Sequence, residues 1–249
     1  MKLEEVLYKI GLFVESLTNK TARFLRGILF PSPQKNKSPL LSKFVVKKGF
    51  TVHEAISLNL QLSFILYIIL NSIIILLKLS VFYLPLLFLL HMLFIRYILG
   101  AYSEYLINEN NAYKVFYYGI SALSFIAFLG YAVLRYRTAN ALYIYAYIIL
   151  VVFAVLAFRQ YFREKFGRDY TYGVVEEVKG DLIRVFVHDD IAANVKPGFY
   201  WLPRVEGVKL GDVVKVLVEP RAFRSSKPVR ILEVLQSSHT STEPKADAE

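Results

Sequence analysis

The chain has 249 residues, 55% of them hydrophobic and 20% charged, too apolar for a disordered polymer and unusual for one soluble domain. It contains no cysteine, so disulfide frameworks, thiolate metal centres, cysteine nucleophiles and iron–sulfur ligation are excluded. The formal charge of +10 gathers at the amino end: residues 1–50 carry 10 basic and 3 acidic groups, against 11 and 10 in residues 168–235.

Residues 1–30 repeat apolar side chains at helical spacing through Leu3, Val6, Leu7, Ile10, Val14, Leu17, Phe24 and Ile28. This predicts an amphipathic helix, with an interruption near Thr18 and Asn19. Two uses are open to it: lying on the cytoplasmic leaflet against anionic headgroups, or packing against the carboxyl-terminal domain. Residues 31–50 hold Pro31, Pro33 and Pro39 among Ser, Asn and Lys, a pattern that cannot continue a helix and reads as a linker.

Within residues 51–167 lie four apolar runs, at 58–77, 81–99, 115–134 and 141–158, each near the roughly 20 residues that a helix needs to cross a bilayer. Thr51 and Glu54 have the spacing of a capping box, so the first helix starts before its apolar run. The connection Lys78-Leu79-Ser80 makes the first two spans an antiparallel hairpin, and Pro85 falls in the first turns of the second, where its missing N–H costs least. With four spans the termini share one side, which collects Lys43, Lys47, Lys48, Arg96, Lys114, Arg159, Arg163, Lys165 and Arg168. The other side has Lys78, Arg135 and Arg137, and this asymmetry predicts a multi-pass membrane protein with both termini cytoplasmic.

After Gly167, a candidate helix stop, the periodicity changes from helical to alternating. Val-rich runs at 170–178, 182–188, 213–218 and 229–235, with another strand around 199–202, predict five strands in residues 168–235. Gly180-Asp181 suits a tight hairpin turn. A small closed or partly closed barrel of OB or SH3-like type limits exposed strand edges. Residues 236–249, rich in Ser, Thr, Glu and Lys, read as a disordered tail. The fold class is therefore a membrane all-α domain of four helices followed by a small soluble all-β barrel.

The sequence holds no P-loop, GxSxG, HExxH, dinucleotide-binding glycine pattern or EF-hand loop, which weighs against an enzyme and identifies no catalytic residue, cofactor or metal site. His91 falls near the middle of the second span, where ionisable groups are costly and often functional. Helix rise places Tyr67 and Ser124 at similar depth and Asn71 nearer the outer surface. A polar relay of Tyr67, His91 and Ser124 is one reading; a neutral histidine hydrogen-bonded between helices is the plainer one. Ser121, Ser124, Ala127 and Gly130 recur every three residues, a spacing that suits close helix packing. His188, Asp189 and Asp190 read as a solvated turn rather than a metal site, since consecutive residues rarely converge on one ion. Phe199, Tyr200 and Trp201 follow the turn Lys196-Pro197-Gly198 and serve either as barrel core or as a ligand or headgroup surface. Arg221, Arg224, Lys227 and Arg230 could meet phosphates, but the nearly neutral charge of their domain argues against nucleic acid.

The segments Phe50-Thr51-Val52-His53-Glu54-Ala55, Gly167 to Val174 and His188 to Gly198 resemble an uncharacterised integral-membrane family of hyperthermophilic archaea. The resemblance implies an archaeal plasma-membrane setting and supplies no activity, substrate or catalytic residue. The barrel resembles the soluble modules of NfeD-type membrane proteins at the level of fold alone. Three functional classes follow. The first is a membrane-anchored interaction or scaffold protein that presents a cytoplasmic β-barrel to a protein partner, with self-association as a further candidate. The second is a small transporter or channel subunit using His91, and the third, weaker, is a membrane enzyme.

Overall fold

The computed structural model describes residues 3–31, 52–106, 110–137, 140–221 and 224–236. The Thr51 cap, the linker lysines and the tail from residue 237 lie outside these residues. The chain forms two compact units, residues 1–158 and 159–249.

The first unit contains α1 (Leu3–Leu29), α2 (Val52–Leu76), α3 (Tyr83–Ala101), α4 (Asn110–Arg137) and most of α5 (Ala141–Phe166). The last four are long and apolar enough to cross a membrane. Their exteriors are hydrophobic, with Leu62, Ile65, Leu66, Ile69, Leu86 and Leu89 all exposed, as expected where lipid is the solvent. α1 is continuous through Thr18, where an interruption was expected. The Thr18 hydroxyl donates to the Val14 carbonyl at 2.8 Å, which satisfies the side chain without disturbing the helix. The carboxyl end of α1 is held against α3: Arg96 Nε donates to the Leu29 carbonyl at 2.6 Å, and its guanidinium lies 5.6 Å from the Phe30 ring. Farther up α1, Phe13, Val14 and Leu17 are more than half exposed.

α4 and α5 are locked by aromatic side chains over glycine. A Cβ at Gly130 would collide with the Tyr147 ring, and one at Gly119 with Phe158. The Tyr147 hydroxyl reaches the carbonyls of Ile126 and Ala127 at 3.0 and 3.1 Å. α5 starts after Asn140, whose Oδ1 accepts from Leu142 N at 2.9 Å. At its other end Gly167 N continues the helical ladder to the Arg163 carbonyl at 2.8 Å. Gly167 is not among the positive-φ glycines, so it does not act as a left-handed stop. Its lack of a Cβ instead clears the Arg163 carbonyl.

The second unit contains β1 (Tyr170–Lys179), β2 (Leu182–Val187), β3 (Gly198–Pro203), β4 (Val213–Arg221) and β5 (Arg224–Gln236). They form one antiparallel sheet in the order β3-β2-β1-β4-β5. The sheet curls into a half-barrel, the partly closed form of the expected barrel, and its edge strands β3 and β5 approach each other. Gly180 has φ 56° in the two-residue turn Gly180-Asp181, which sets Lys179 opposite Leu182. From there the alternation puts Ile183, Val185 and Val187 on the inner face with Val175, Val214, Val216, Leu202 and Ile231. Each such fully buried side chain contributes roughly 1.5–3 kcal/mol.

Candidate functional site

Two clusters stand out, one in each unit. In the helical unit, α2 places Tyr67 and Asn71 one turn apart on the same face, α3 contributes His91, and α4 contributes Ser121. All four are buried. The Tyr67 and His91 rings stack with centroids 4.5 Å apart and an interplanar angle of 2°, and Phe64 flanks the imidazole at 6.3 Å. His91 Nε2 is 3.1 Å from Ser121 Oγ, a bond in which the imidazole tautomer decides which atom donates. Asn71 Nδ2 donates to the Tyr67 carbonyl at 2.8 Å. The Asn71 side chain is the polar neighbour of the Tyr67 phenol, a loose contact in which neither Tyr67 Oη nor Asn71 Oδ1 completes a well-formed hydrogen bond. Buried polar atoms held this loosely are uncommon, which marks the cluster as a polar centre of the helical unit.

Depth arithmetic alone selected Ser124, but Ser124 Oγ donates back to the Ile120 carbonyl at 2.8 Å. The hydroxyl that meets His91 is one turn earlier. The missing information was rotational phase: Tyr113, Tyr117 and Ser121, spaced by four, share the buried stripe of α4. Asn71, one turn beyond Tyr67 toward the carboxyl end of α2, is fully buried.

In the β unit, Phe199 and Trp201 point outward from the edge strand β3, 58% and 46% exposed. Tyr200 between them turns inward against the core, and its hydroxyl donates to the Lys196 carbonyl at 2.9 Å. Burial pushes the Tyr200 phenol pKa above its ordinary value. Arg184 on β2 lies 5.1 Å from the Phe199 ring and 5.9 Å from Trp201, and pairs with Glu177 at 3.1 Å. Phe186 extends the aromatic surface, 5.0 Å from Phe199. The outward face continues to Tyr170, over which Lys215 Nζ sits at 4.2 Å. The alternation of Tyr170 and Tyr172 around Thr171 carried that signal in the sequence. Arg221, Arg224, Lys227 and Arg230 are exposed along the β4–β5 ribbon, with Arg221 paired to Arg224, Lys227 to Glu219 and Arg230 to Leu217. They belong to the opposite end of the strand order from Phe199 and Trp201.

Of the triplet His188, Asp189 and Asp190, the last is a buried structural knot. Its Oδ2 accepts from Arg168 Nη2 at 2.8 Å and Thr171 Oγ1 at 2.7 Å, and its Oδ1 from Ala193 N at 2.8 Å. Both carboxylate oxygens are thus occupied. Among the described residues no three His, Asp or Glu side chains are grouped to hold a metal.

Residues 25–232 match the family described as "Predicted membrane protein (DUF2101)". No curated protein and no solved structure matches the chain. The match takes in all four membrane-length helices and nearly the whole β sheet, and the chain belongs to this family of membrane proteins.

Proposed function

We propose that the protein is a membrane-anchored interaction scaffold whose helical unit fixes the β unit close to the bilayer, where the β unit captures a protein partner. The observation that carries this reading is the outward surface of Phe199, Trp201 and Phe186 around Arg184. Aromatic and arginine side chains dominate binding energy at protein interfaces, whereas a soluble sheet needs none of them on its outer face. Only Gly167, Arg168 and Asp169 separate α5 from β1, which limits how far the β unit can travel from the membrane. The exposed Phe13, Val14 and Leu17 of α1 support a second contact, with lipid on the same side.

Photo-crosslinking in membranes from a probe at Leu182, beside the aromatic surface, tests the reading. The expected outcome is a discrete adduct that disappears in the Phe199→Ala/Trp201→Ala variant and persists in Arg221→Gln/Arg224→Gln. Equal adducts from all three proteins, or none from the wild type, would overturn it. The excess of Lys and Arg on the terminal side supports a cytoplasmic β unit. Because the chain lacks native cysteine, Phe82→Cys and Lys179→Cys give clean reporters. A membrane-impermeant maleimide on intact cells should label the first and spare the second.

The buried, loosely bonded Tyr67 hydroxyl and Asn71 Oδ1 beside His91 favour a second reading, transport of a proton or small polar solute. Reconstituted protein should then show a flux that His91→Ala abolishes while assembly is retained. Absence of flux from the wild-type protein across proton, sodium and potassium gradients would remove this reading and leave the scaffold.

A further inference from the structure

Where α2 ends, α3 begins and α4 ends, the helical unit has a cleft of about 450 Å³. Its wall is apolar, including Ile74 and the buried Leu84 and Ala132, and two exposed cations, Lys78 and Arg135, stand at it together with Tyr136. The connecting segments at this end, residues 77–82 and 134–141, contain Lys78, Arg135 and Arg137 and no Asp or Glu. Two positive charges are therefore set against an apolar wall at the end of membrane-length helices, with no local carboxylate to neutralise them.

The backbone under Lys78 adds an independent observation. Leu79 N donates to the Ile74 carbonyl at 3.0 Å and Lys78 N to the Ile75 carbonyl at 3.3 Å, the two bonds of a Schellman helix ending. The residue at the left-handed position of that motif is ordinarily glycine, yet here it is Lys78 with φ 53°. A side chain is kept where the turn would be easier without one, and departures of this kind collect at functional positions. Arg135 Nη1 donates to the Ile75 carbonyl at 3.3 Å, so the same helix end orients the second cation.

We propose that this cleft binds one phospholipid of net anionic charge. Its phosphate sits between Lys78 Nζ and the Arg135 guanidinium, and its glycerol and first methylenes lie against Ile74, Leu84 and Ala132. Basic pockets between membrane helices recognise anionic headgroups in this way, with an ammonium and a guanidinium supplying complementary donors. The assignment does not depend on the scaffold reading, because it concerns the opposite end of the helices from α1 and the β1 connection.

Native mass spectrometry of the full-length protein in a neutral detergent tests the assignment, with phosphatidylglycerol, phosphatidylcholine or inorganic phosphate added. The expected result is a single phosphatidylglycerol retained saturably, phosphatidylcholine retained weakly, and no competition from millimolar phosphate. Lys78→Gly should leave thermal stability unchanged or raised, since glycine suits the turn, and yet weaken retention; combined with Arg135→Gln the loss should reach roughly tenfold or more. Arg159→Gln/Arg163→Gln, which removes two cations from the other end, should leave retention intact. Undiminished retention by Lys78→Gly/Arg135→Gln, equal retention of the two lipids, or an equal loss in the control variant would overturn the proposal. Displacement by inorganic phosphate alone would reassign the cations to a free anion and also overturn it.

Discussion

The two units both have mainly apolar interiors but differ in their surfaces and in the polar groups they bury. The β unit hides Val175, Ile183, Val185, Val214 and Val216 and turns Phe199, Trp201 and Lys215 outward, whereas the helical unit exposes leucine and isoleucine and includes Asn59, Asn71, His91 and Ser121 among its buried positions. A sharper contrast lies between two buried polar groups, one in each unit. Asp190 has both oxygens occupied by three donors, while in the cluster around His91 the Tyr67 and Asn71 side chains meet only in a loose polar contact. A fully satisfied polar group reads as architecture; one left short in a low-dielectric interior carries an unspent capacity to bind. The comparison therefore assigns Asp190 to stability and sets it against the proposed binding or transport role of the His91 cluster, and mutation can test both.

The largest effect is expected at Asp190. Asp190→Ala removes at once the acceptor of Arg168 Nη2, Thr171 Oγ1 and Ala193 N, and breaking a buried pair in this manner costs about 3–5 kcal/mol. Trp201, the single tryptophan, sits in β3, so its fluorescence reports unfolding of the β unit in the full-length protein. The urea midpoint should fall steeply for Asp190→Ala and less for Asp190→Asn, which keeps an acceptor. An unchanged midpoint would mean that the three bonds are not what holds the β1 start to the 190–195 turn.

Next in size is Gly130→Val, which sharpens the contrast from the membrane side. The Tyr147 ring occupies the space that a side chain at Gly130 requires, so the α4–α5 contact must open. Overpacking of this type costs about 1–3 kcal/mol. Thermal unfolding followed by circular dichroism in detergent should show the loss in the helical transition, with the Trp201 transition unmoved.

Sequence patterning conveyed the fold class well because both solvents leave strong signatures. Lipid demands long apolar runs, and a half-buried sheet demands alternation, visible in Ile183, Val185 and Val187. The candidate sites were harder. Helix rise fixes depth, so Tyr67 and His91 could be matched, but rotation about each helix axis is set by partner packing, and it brings Ser121 rather than Ser124 to the imidazole. Likewise, three consecutive aromatics on a strand say that faces alternate without saying which face is the core; the inward turn of Tyr200 sends Phe199 and Trp201 to the surface. Lys78 at a left-handed helix ending has no sequence signature, since glycine or asparagine is the residue that announces such a turn.

A smaller effect is expected at Tyr200, which borders the β-unit core. Tyr200→Phe removes the bond to the Lys196 carbonyl and should cost about 0.5–1 kcal/mol. Because burial raises the phenol above its ordinary 10.0, the folded chain holds this proton more tightly than the unfolded chain does. The contribution is complete below pH 10 and is lost as pH rises beyond it. Urea midpoints read from Trp201 should therefore fall less as pH rises through 10.0 in Tyr200→Phe than in the wild type.

The smallest expected number bears most directly on whether the buried polar groups of the two units differ in kind. A double-mutant cycle of His91→Phe and Ser121→Ala isolates the 3.1 Å bond between them, and polar pairs between membrane helices couple by about 0.6 kcal/mol on average, with roughly 1.7 as an upper value. Coupling of that size says the bond contributes little to holding the bundle together, in contrast to Asp190 in the β unit. If His91→Phe alone also leaves stability nearly intact, in a place where imidazole is costly to insert, the result supports the proposed role of the cluster in binding or transport. Coupling of 3 kcal/mol or more, well beyond what such pairs supply, would instead make His91 an architectural group like Asp190 and erase the distinction between the two units.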